Sequence, residues 1–198
     1  MHPHDTRVCP PAAGFSLTEL LVSLAILAGL ASLAGPGMVR LVQQERSTAA
    51  LNQLLGAVHL ARSSAITRGA IVTLCPSANG QTCAGRNRWH EGAIVFSDED
   101  RDGRRDPDDA LLRALPGFPD SSRVYWRSFR NKSYLQINGR GMTNWQNGHF
   151  LYCPANGDPR LARQLILNAQ ARVRKAPDRD GDGIAEGANG DPLRCPDP

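Results

Sequence analysis

One segment of the chain places carboxylates at the alternate positions that a calcium-binding loop uses. They belong to Asp98, Asp100, Asp102 and, at the closing twelfth position, Asp109. Oxygen ligands at this spacing, with Gly103 at the turn, suit the coordination of Ca²⁺. However, such loops usually close with Glu, and the flanking segments favour strands over helices. The pattern indicates either a calcium site or a solvated hairpin loop, and the solvated loop is the simpler interpretation.

The same spacing recurs near the C terminus. Its carboxylates belong to Asp178, Asp180 and Asp182, and Glu186 follows them. Asn189 stands at the twelfth position, where it would be a poor closing ligand for Ca²⁺. We therefore expect residues 176–198 to form an acidic, glycine-rich tail that is disordered until Cys195 is bonded, although a metal could order it.

Cationic side chains are paired at the last strand candidate. Arg172 and Arg174 are two residues apart, so they would share one face of an extended strand, with Lys175 on the other. Residues 121–175 contain ten arginines and lysines, Arg140 among them, but one acidic residue. Such a cluster suits contact with phosphate groups, which requires positive charge but no reading of base sequence. A solvated strand surface is the alternative interpretation.

The sequence lacks motifs for catalysis. The neighbouring Ser63 and Ser64 have no GxSxG context, and His90 and His149 stand alone in loop or strand-edge positions. No HExxH, Walker A or dinucleotide-binding pattern occurs. We therefore expect a protein that is not an enzyme and has no cofactor, with Ca²⁺ as the one candidate ligand of the acidic loops.

An uncharged run from Leu20 to Val39 dominates the N-terminal part of the chain. A helix of this length would span about 30 Å, which matches the hydrocarbon thickness of a bilayer. Glu19 stands at its start, and a carboxylate in lipid needs a partner, which marks it as functional. The Gly35-Pro36 pair predicts a kink. A short polar leader precedes the run, which is the reverse of the order in a secretory signal peptide.

The rest of the chain predicts an α+β fold. Apolar residues recur at helical spacing from Arg40 to Ile66, which indicates an amphipathic helix. Short apolar runs punctuated by Gly, Pro, Asn and Asp follow, and they indicate antiparallel strands. The strand candidates are residues 70–74, 92–96, 111–115, 123–127, 134–137, 149–152, 164–167 and 171–174. We expect a long N-terminal helix, its apolar half spanning the membrane, packed on an antiparallel β-sheet domain.

Four cysteines remain beyond residue 14, an even number that fits disulfide bonding in an oxidising compartment. Of the three pairings that they allow, we favour Cys75–Cys83, which closes a short loop rich in turn residues, and Cys153–Cys195, which pins the tail. A zinc site formed by all four thiolates is the alternative. Neither pair has the CxxC spacing that is typical of such sites.

The segment Gly14-Phe15-Ser16-Leu17-Thr18-Glu19-Leu20, followed by the apolar run, resembles the type IV prepilin signature. The resemblance implies that a prepilin peptidase cleaves between Gly14 and Phe15 and that the new Phe15 amine is methylated. Glu19 would then pair with the N terminus of a subunit during filament assembly. This role agrees with physical expectation, because an ammonium and a carboxylate in apolar surroundings must compensate each other. An ordinary signal anchor is the alternative.

Three further segments, residues 54–77, 91–115 and 139–143, resemble the GspH/FimT family of pseudopilins and minor pilins. The family implies an N-terminal helix on one or two antiparallel sheets. FimT-type members linked to DNA uptake carry a Gly-Arg-x-Arg element, which the segment Ala171-Arg172-Val173-Arg174 resembles except at its first position. Alanine takes a positive φ less readily than glycine, so the turn that glycine forms in this element is less favourable at Ala171.

These resemblances imply a minor pilin of a type IV pilus that contributes to pilus biogenesis and to DNA binding and uptake in natural transformation. It would be a single-pass inner-membrane protein with its C-terminal domain in the periplasm, and would then join other pilins in a cell-surface pilus. Its expected parts are a cleaved leader at 1–14, a transmembrane or filament-core helix at 15–39, an amphipathic helix at 40–67, the β domain at 68–175 and the tail at 176–198. The alternatives are a type II secretion pseudopilin without DNA binding and a calcium-stabilised structural module.

Overall fold

The computed structural model describes residues 14–118 and 121–196 of the chain. The predicted leader therefore lies outside the described residues, except for Gly14. The chain divides into two compact units, one that ends at Val42 and one that begins at Gln43.

Helix α1, Leu17–Arg68, runs from the first unit into the second. Its start is set by Ser16, whose Oγ accepts a hydrogen bond of 3.2 Å from the backbone N–H of Glu19 and so caps the helix. Glu19 lies in the first turn, where a carboxylate complements the positive end of the helix dipole. The helix therefore begins inside the segment that resembles the prepilin signature.

The first unit exposes its apolar side chains. Leu20 is 57% exposed, Leu27 is 60% exposed and Val39 is 60% exposed. Among the described residues, no single helix is long and apolar enough to cross a membrane, but the bent pair Leu17–Ser32 and Gly37–Arg68 passes by length and composition. An exposed apolar surface of this extent indicates contact with lipid or with another protein.

Within the second unit, α1 has one buried face. Leu51, Leu54 and Val58 are almost fully buried, whereas Asn52 and His59 are exposed. The buried positions recur at the spacing of one helical stripe, because residues three and four apart lie on the same face. The amphipathic helix expected from the sequence is therefore confirmed.

The second unit also contains two short 3-10 helices, Trp89–Glu91 and Pro159–Leu161, and eight described antiparallel strands. The strands are β1 Val72–Pro76, β2 Gly92–Ser97, β3 Leu111–Pro116, β4 Arg123–Ser128, β5 Leu135–Ile137, β6 Gly148–Cys153, β7 Arg163–Leu167 and β8 Val173–Lys175. The first sheet has the order β3-β2-β1-β5 and the second has the order β4-β6-β7-β8. All of the neighbouring strands pair antiparallel. The predicted α+β fold, a long N-terminal helix with antiparallel sheets, is confirmed.

One hydrophobic core joins the two sheets to the second half of α1. It contains helix residues such as Leu54 and strand residues such as Leu74 and Phe150. The ring of Phe150 lies 4.8 Å from the ring of Trp89 and 4.3 Å from that of Trp126, measured between centroids. Such aromatic contacts add to the stabilisation that burial provides. The two sheets and the helix therefore form one packed body in the second unit.

The C-terminal segment packs on the face of the second sheet that the helix leaves free. Ala185 and Leu193 bury their side chains against Leu151 and Cys153 of β6. These two β6 residues alternate with Phe150, which faces the helix, so they point to the opposite face of the sheet. The segment is tied back by Cys153–Cys195, which agrees with the expectation that the tail is ordered once Cys195 is bonded.

Candidate functional site

The acidic loop between β2 and β3 brings three of its aspartates together. Asp98, Asp100 and Asp102 each offer one carboxylate oxygen, and these oxygens all lie within 4.8 Å of one another. Asp98 is fully buried at the end of β2, whereas Asp100 and Asp102 are exposed. The cluster therefore has a buried base and a solvent-facing side.

Hydrogen bonds from two other strands fix the carboxylate of Asp98. Its Oδ2 accepts from the hydroxyl of Thr73 on β1, from Nε2 of Gln136 on β5 at 2.8 Å and from the backbone N–H of Gly103 at 3.2 Å. Its Oδ1 is also buried, but within the described part of the chain no group donates a hydrogen bond to it. Burial raises the pKa of the Asp98 carboxyl, and the hydrogen bonds from Thr73 and Gln136 act in the opposite direction.

Thr73 and Gln136 are residues that the sequence analysis did not single out. Both are polar and buried within strands whose neighbouring positions are apolar. A polar side chain in such a strand must find a hydrogen-bonding partner, because leaving it unsatisfied is costly. A polar residue among apolar neighbours in a strand is the signal that could have identified Thr73 and Gln136. Their shared partner, Asp98, could not be identified in this way, because only the pairing of distant strands brings it to them.

Asp109, the fourth predicted calcium ligand, lies apart from the other three. Its Oδ2 accepts from the backbone N–H of Asp106 at 3.0 Å, and its Oδ1 accepts from the backbone N–H of Glu99 at 3.4 Å. It is not part of the carboxylate cluster that the described residues form. The carboxylate of Asp109 therefore holds the loop closed by accepting from backbone N–H groups of the loop, and it does not line the same site.

A second cluster forms in the C-terminal segment. It contains Asp178, Asp180, Asp182 and Glu186, with one oxygen of each within 4.8 Å of the others. Asp178 accepts from the backbone N–H groups of Gly181 and Gly183, and Oε2 of Glu186 accepts from that of Arg179. The carboxylates of this cluster thus support the loop that carries them.

Two of the predicted cationic residues, Arg174 and Lys175, lie on β8 at the edge of the second sheet, and Arg172 immediately precedes that strand. All three are exposed. Val173 packs on the core, and Nζ of Lys175 donates to Oδ1 of Asn52 on α1 at 3.0 Å, so these two side chains face the helix. Because neighbours in a strand alternate, Arg174 faces the other way. The structure therefore places Arg174 and Lys175 on opposite faces of β8.

Ala171, which replaces the glycine of the Gly-Arg-x-Arg element, has a positive φ of 51°. The side chain of Asn168 holds this turn, because its Oδ1 accepts from the backbone N–H groups of Gln170 and Arg172 at 3.1 and 3.0 Å. The backbone N–H of Ala171 donates to the Asn168 carbonyl at 3.0 Å. Alanine thus adopts the left-handed conformation that glycine would take more cheaply.

Arg140 belongs to a loop that adjoins this turn. The backbone N–H of Thr143 donates to the carbonyl of Ala169 at 2.9 Å, and Nε of Arg62 on α1 donates to the carbonyl of Gly141 at 3.2 Å. Arg140 itself is exposed. The structure therefore brings the loop of Arg140 beside the turn that leads into the arginine pair.

The aromatic residues between the cations divide into two groups. Trp126 is buried in the core, whereas Phe129 is 76% exposed. Trp145, which the sequence analysis did not single out, is 66% exposed, and the guanidinium of Arg130 lies 5.9 Å from the centroid of its ring. Exposed aromatic rings next to arginines can stack on nucleic acid bases.

The residues of the predicted processing and assembly site lie at the start of the described chain. Gly14 and Phe15 precede α1, and Phe15 is 87% exposed. Glu19 is also exposed. The segment is therefore accessible in the isolated chain, as a cleavage site and an assembly contact would require.

Two disulfide bonds join the four described cysteines. They are Cys75–Cys83 and Cys153–Cys195, the pairs favoured from the sequence. Because all four sulfur atoms are used, the described cysteines leave no thiolate for the alternative zinc site.

The sequence model of the family described as "Type II transport protein GspH" matches residues 50–171. No curated protein sequence matches the chain. Among solved structures, the chain is similar to a crystal structure of the type IV minor pilin FimU from Pseudomonas aeruginosa strain PAO1. The identity is 18%, the TM-score is 0.50, and 66% of this chain and 92% of that chain are covered.

A second crystal form of FimU is also similar, with 15% identity and a TM-score of 0.46, covering 73% of this chain and 92% of that chain. The family match spans more than half of the chain and includes α1 from residue 50 onward and seven of the eight described strands. The first FimU structure shows that the fold is that of a type IV pilin. The chain therefore belongs to the GspH family, and its fold is that of a type IV pilin.

Proposed function

We propose that the chain is a minor pilin of a type IV pilus, assembled through its N-terminal helix, and that its second sheet binds DNA during natural transformation. The exposed apolar surface of residues 17–32 and 37–42 supports assembly, because such a surface requires lipid or neighbouring subunits to cover it. In this proposal prepilin peptidase removes residues 1–14, and methylated Phe15 and Glu19 enter the filament core. The protein begins in the inner membrane, with the β domain and tail in the periplasm, and ends in the pilus.

The observation that carries DNA binding is the exposed pair formed by Arg172, just before edge strand β8, and Arg174, on that strand. An arginine binds phosphate through several N–H donors in a fixed plane, which favours backbone contacts. The adjoining loop adds Arg140, and Lys175 lies on the helix side of the same strand. Contacts of this kind supply affinity without sequence preference, as an uptake system for DNA of any sequence requires.

The test is a salt titration of DNA binding by the full chain in a neutral detergent. The wild type and the double variant Arg172→Ala/Arg174→Ala bind a labelled duplex at a series of salt concentrations. We expect the variant to bind at least about tenfold more weakly. The negative slope of log K against log salt should become shallower by about 2, because each arginine contacts one phosphate.

The matched control is Arg86→Ala/Arg113→Ala, which removes the same charge from exposed positions outside the second sheet. This control should leave the slope close to that of the wild type. Equal losses in the two double variants would show a general effect of net charge and would reject the assigned site. A wild-type chain that binds no DNA would reject the DNA-binding function itself.

A second candidate function is that of a type II secretion pseudopilin, which would not need to bind DNA. The description of the matching family as a type II transport protein favours it. Deleting the gene separates the two functions. Loss of transformation with normal secretion supports the pilus, whereas loss of secreted enzymes with normal transformation supports the secretion filament.

A further inference from the structure

Asp98 presents a buried oxygen that the protein itself does not satisfy. Its Oδ1 is shielded from solvent and accepts no hydrogen bond from the described residues, although three donors converge on Oδ2 of the same carboxylate. A buried acceptor without a donor or a cation is costly, and an ionised one more so. A group that supplies positive charge at Oδ1 would remove this cost.

The surroundings of Asp98 have the composition of a hard-cation site. The oxygens of Asp98, Asp100 and Asp102 lie within 4.8 Å of one another, and two ligands bound at about 2.4 Å to one Ca²⁺ ion can be no farther apart than this. The cluster contains carboxylates and no histidine or cysteine, a donor set that suits Ca²⁺ or Mg²⁺ rather than zinc or copper.

We propose that the loop of residues 98–103 is a binding site for one Ca²⁺ ion, with Asp98 as its buried ligand and Asp100 and Asp102 as its solvent-facing ligands. Ca²⁺ is expected over Mg²⁺ because it accepts irregular geometry and carboxylates from a flexible loop, whereas Mg²⁺ requires near-octahedral coordination. Asp109 is not a ligand, since its two oxygens accept from the backbone of the loop.

The ion would tie the loop to the centre of the first sheet. Asp98 is hydrogen-bonded to Thr73 on β1 and to Gln136 on β5, and the carbonyl of Arg101 accepts a second hydrogen bond from Gln136. Binding at Asp98 therefore couples the exposed part of the loop to two strands of the core. The site lies in the first sheet, so it does not depend on the proposed DNA-binding function.

The substitution Asp98→Asn tests the buried ligand with little disturbance of the fold. The amide oxygen of asparagine can accept from the donors that converge on Oδ2, and the NH₂ group takes the place of Oδ1. That NH₂ group is a donor and cannot bind a cation, so the substitution removes the proposed ligand atom. We expect the variant to fold and to lose the site.

The experiment uses the full chain in detergent after treatment with a chelator. Calorimetric titration with CaCl₂ measures binding, and thermal unfolding with and without CaCl₂ measures stabilisation. The wild type should bind Ca²⁺ saturably and show a higher Tm with CaCl₂. Asp98→Asn should bind at least one equivalent of Ca²⁺ less than the wild type, or bind Ca²⁺ at least about tenfold more weakly. It should also lose the part of the CaCl₂-induced rise in Tm that comes from this site. MgCl₂ should act at least about tenfold more weakly than CaCl₂.

The C-terminal cluster supplies the matched control. Asp180→Asn removes one carboxylate from a cluster of the same spacing in which Asp180, Asp178 and Asp182 are exposed. It should leave the Asp98-dependent response in place. If Asp98→Asn fails to fold, Asp100→Asn/Asp102→Asn replaces exposed ligands only and should also abolish that response.

Three results would overturn the proposal. They are a wild-type chain with no response to CaCl₂, a full response in Asp98→Asn or in Asp100→Asn/Asp102→Asn, and loss of the whole response in Asp180→Asn alone. An equal response to MgCl₂ would overturn the assignment to Ca²⁺.

Discussion

Gly103 is the residue on which the course of the acidic loop depends. Its φ is +80°, and a Cβ atom at this position would lie 2.4 Å from the ring of Tyr134. The ring is half-buried and packs against the cluster of Cys75, Ile94 and Phe96, so it cannot move aside freely. A side chain at position 103 therefore has neither a favourable backbone conformation nor space.

We predict that Gly103→Ala lowers the free energy of unfolding by about 2 to 4 kcal/mol, from the positive φ and the collision together. Chemical denaturation followed by tryptophan fluorescence measures the change. Gly157→Ala is the control, because Gly157 has a φ of +69° but no atom within 4 Å of the added Cβ. That variant should lose only about 1 kcal/mol, and equal losses in both would contradict the predicted collision.

The acidic residues show which part of a site can be predicted from a sequence. The spacing of Asp98, Asp100 and Asp102 predicts their cluster because the three lie within one short loop, where local geometry decides the distances. Thr73 and Gln136 come from strands 25 and 38 residues away from Asp98, and only the strand order brings them to it. Asp109 lies outside the cluster because its carboxylate accepts from backbone N–H groups of the loop, which the spacing alone does not predict.

At the scale of elements, the strands were predictable one by one and their arrangement was not. Short apolar runs between turn residues predicted all eight strands, and the structure shifts β1 from 70–74 to 72–76. The division into two sheets depends on pairings between distant residues, such as Val72 with Ile137. Such pairings leave no local pattern in the sequence, so the strand order could not be predicted.

The C-terminal segment is the element whose packing was hardest to predict. Its apolar residues are few, yet Ala185 and Leu193 are buried against the second sheet. The Cys153–Cys195 bond joins residues 42 apart, so it restricts the unfolded chain more than the Cys75–Cys83 bond, which spans 8. The bond and the small apolar cluster together account for the packing of a segment with a polar composition.

We predict that Cys153→Ser/Cys195→Ser releases the segment. Trypsin should then cleave rapidly after the exposed Arg179 and Arg194, and the free energy of unfolding should fall by up to about 4 kcal/mol. Mass spectrometry of timed digests identifies the cleavage sites. Cys75→Ser/Cys83→Ser should lose up to about 3 kcal/mol without this cleavage. A C-terminal segment that resists trypsin equally in both variants would contradict the account.

At the scale of the whole molecule, the two units differ in the residues that they contain and expose. The unit that begins at Gln43 holds the core, both sheets, the acidic loops and the arginine pair. The unit that ends at Val42 exposes apolar side chains and carries Phe15 and Glu19. In a GspH-family chain, this division fits a folded domain that is displayed and a helix that is buried by its assembly partners.

Assembly through the N-terminal helix is the central claim, and the most direct test is the amount of the chain in sheared, purified filaments. Strains express the wild type, Glu19→Gln or the control Glu45→Gln, which changes an exposed glutamate farther along the same helix. Glu19→Gln keeps the shape of the side chain but removes the charge that would pair with a subunit N terminus.

We predict that wild type and Glu45→Gln are recovered in filaments with Phe15 as the first residue by mass spectrometry, and that Glu19→Gln falls at least about tenfold, a loss of about 1.4 kcal/mol or more in assembly. Equal recovery of Glu19→Gln and wild type, or a chain that is absent from filaments in every strain, would contradict the account.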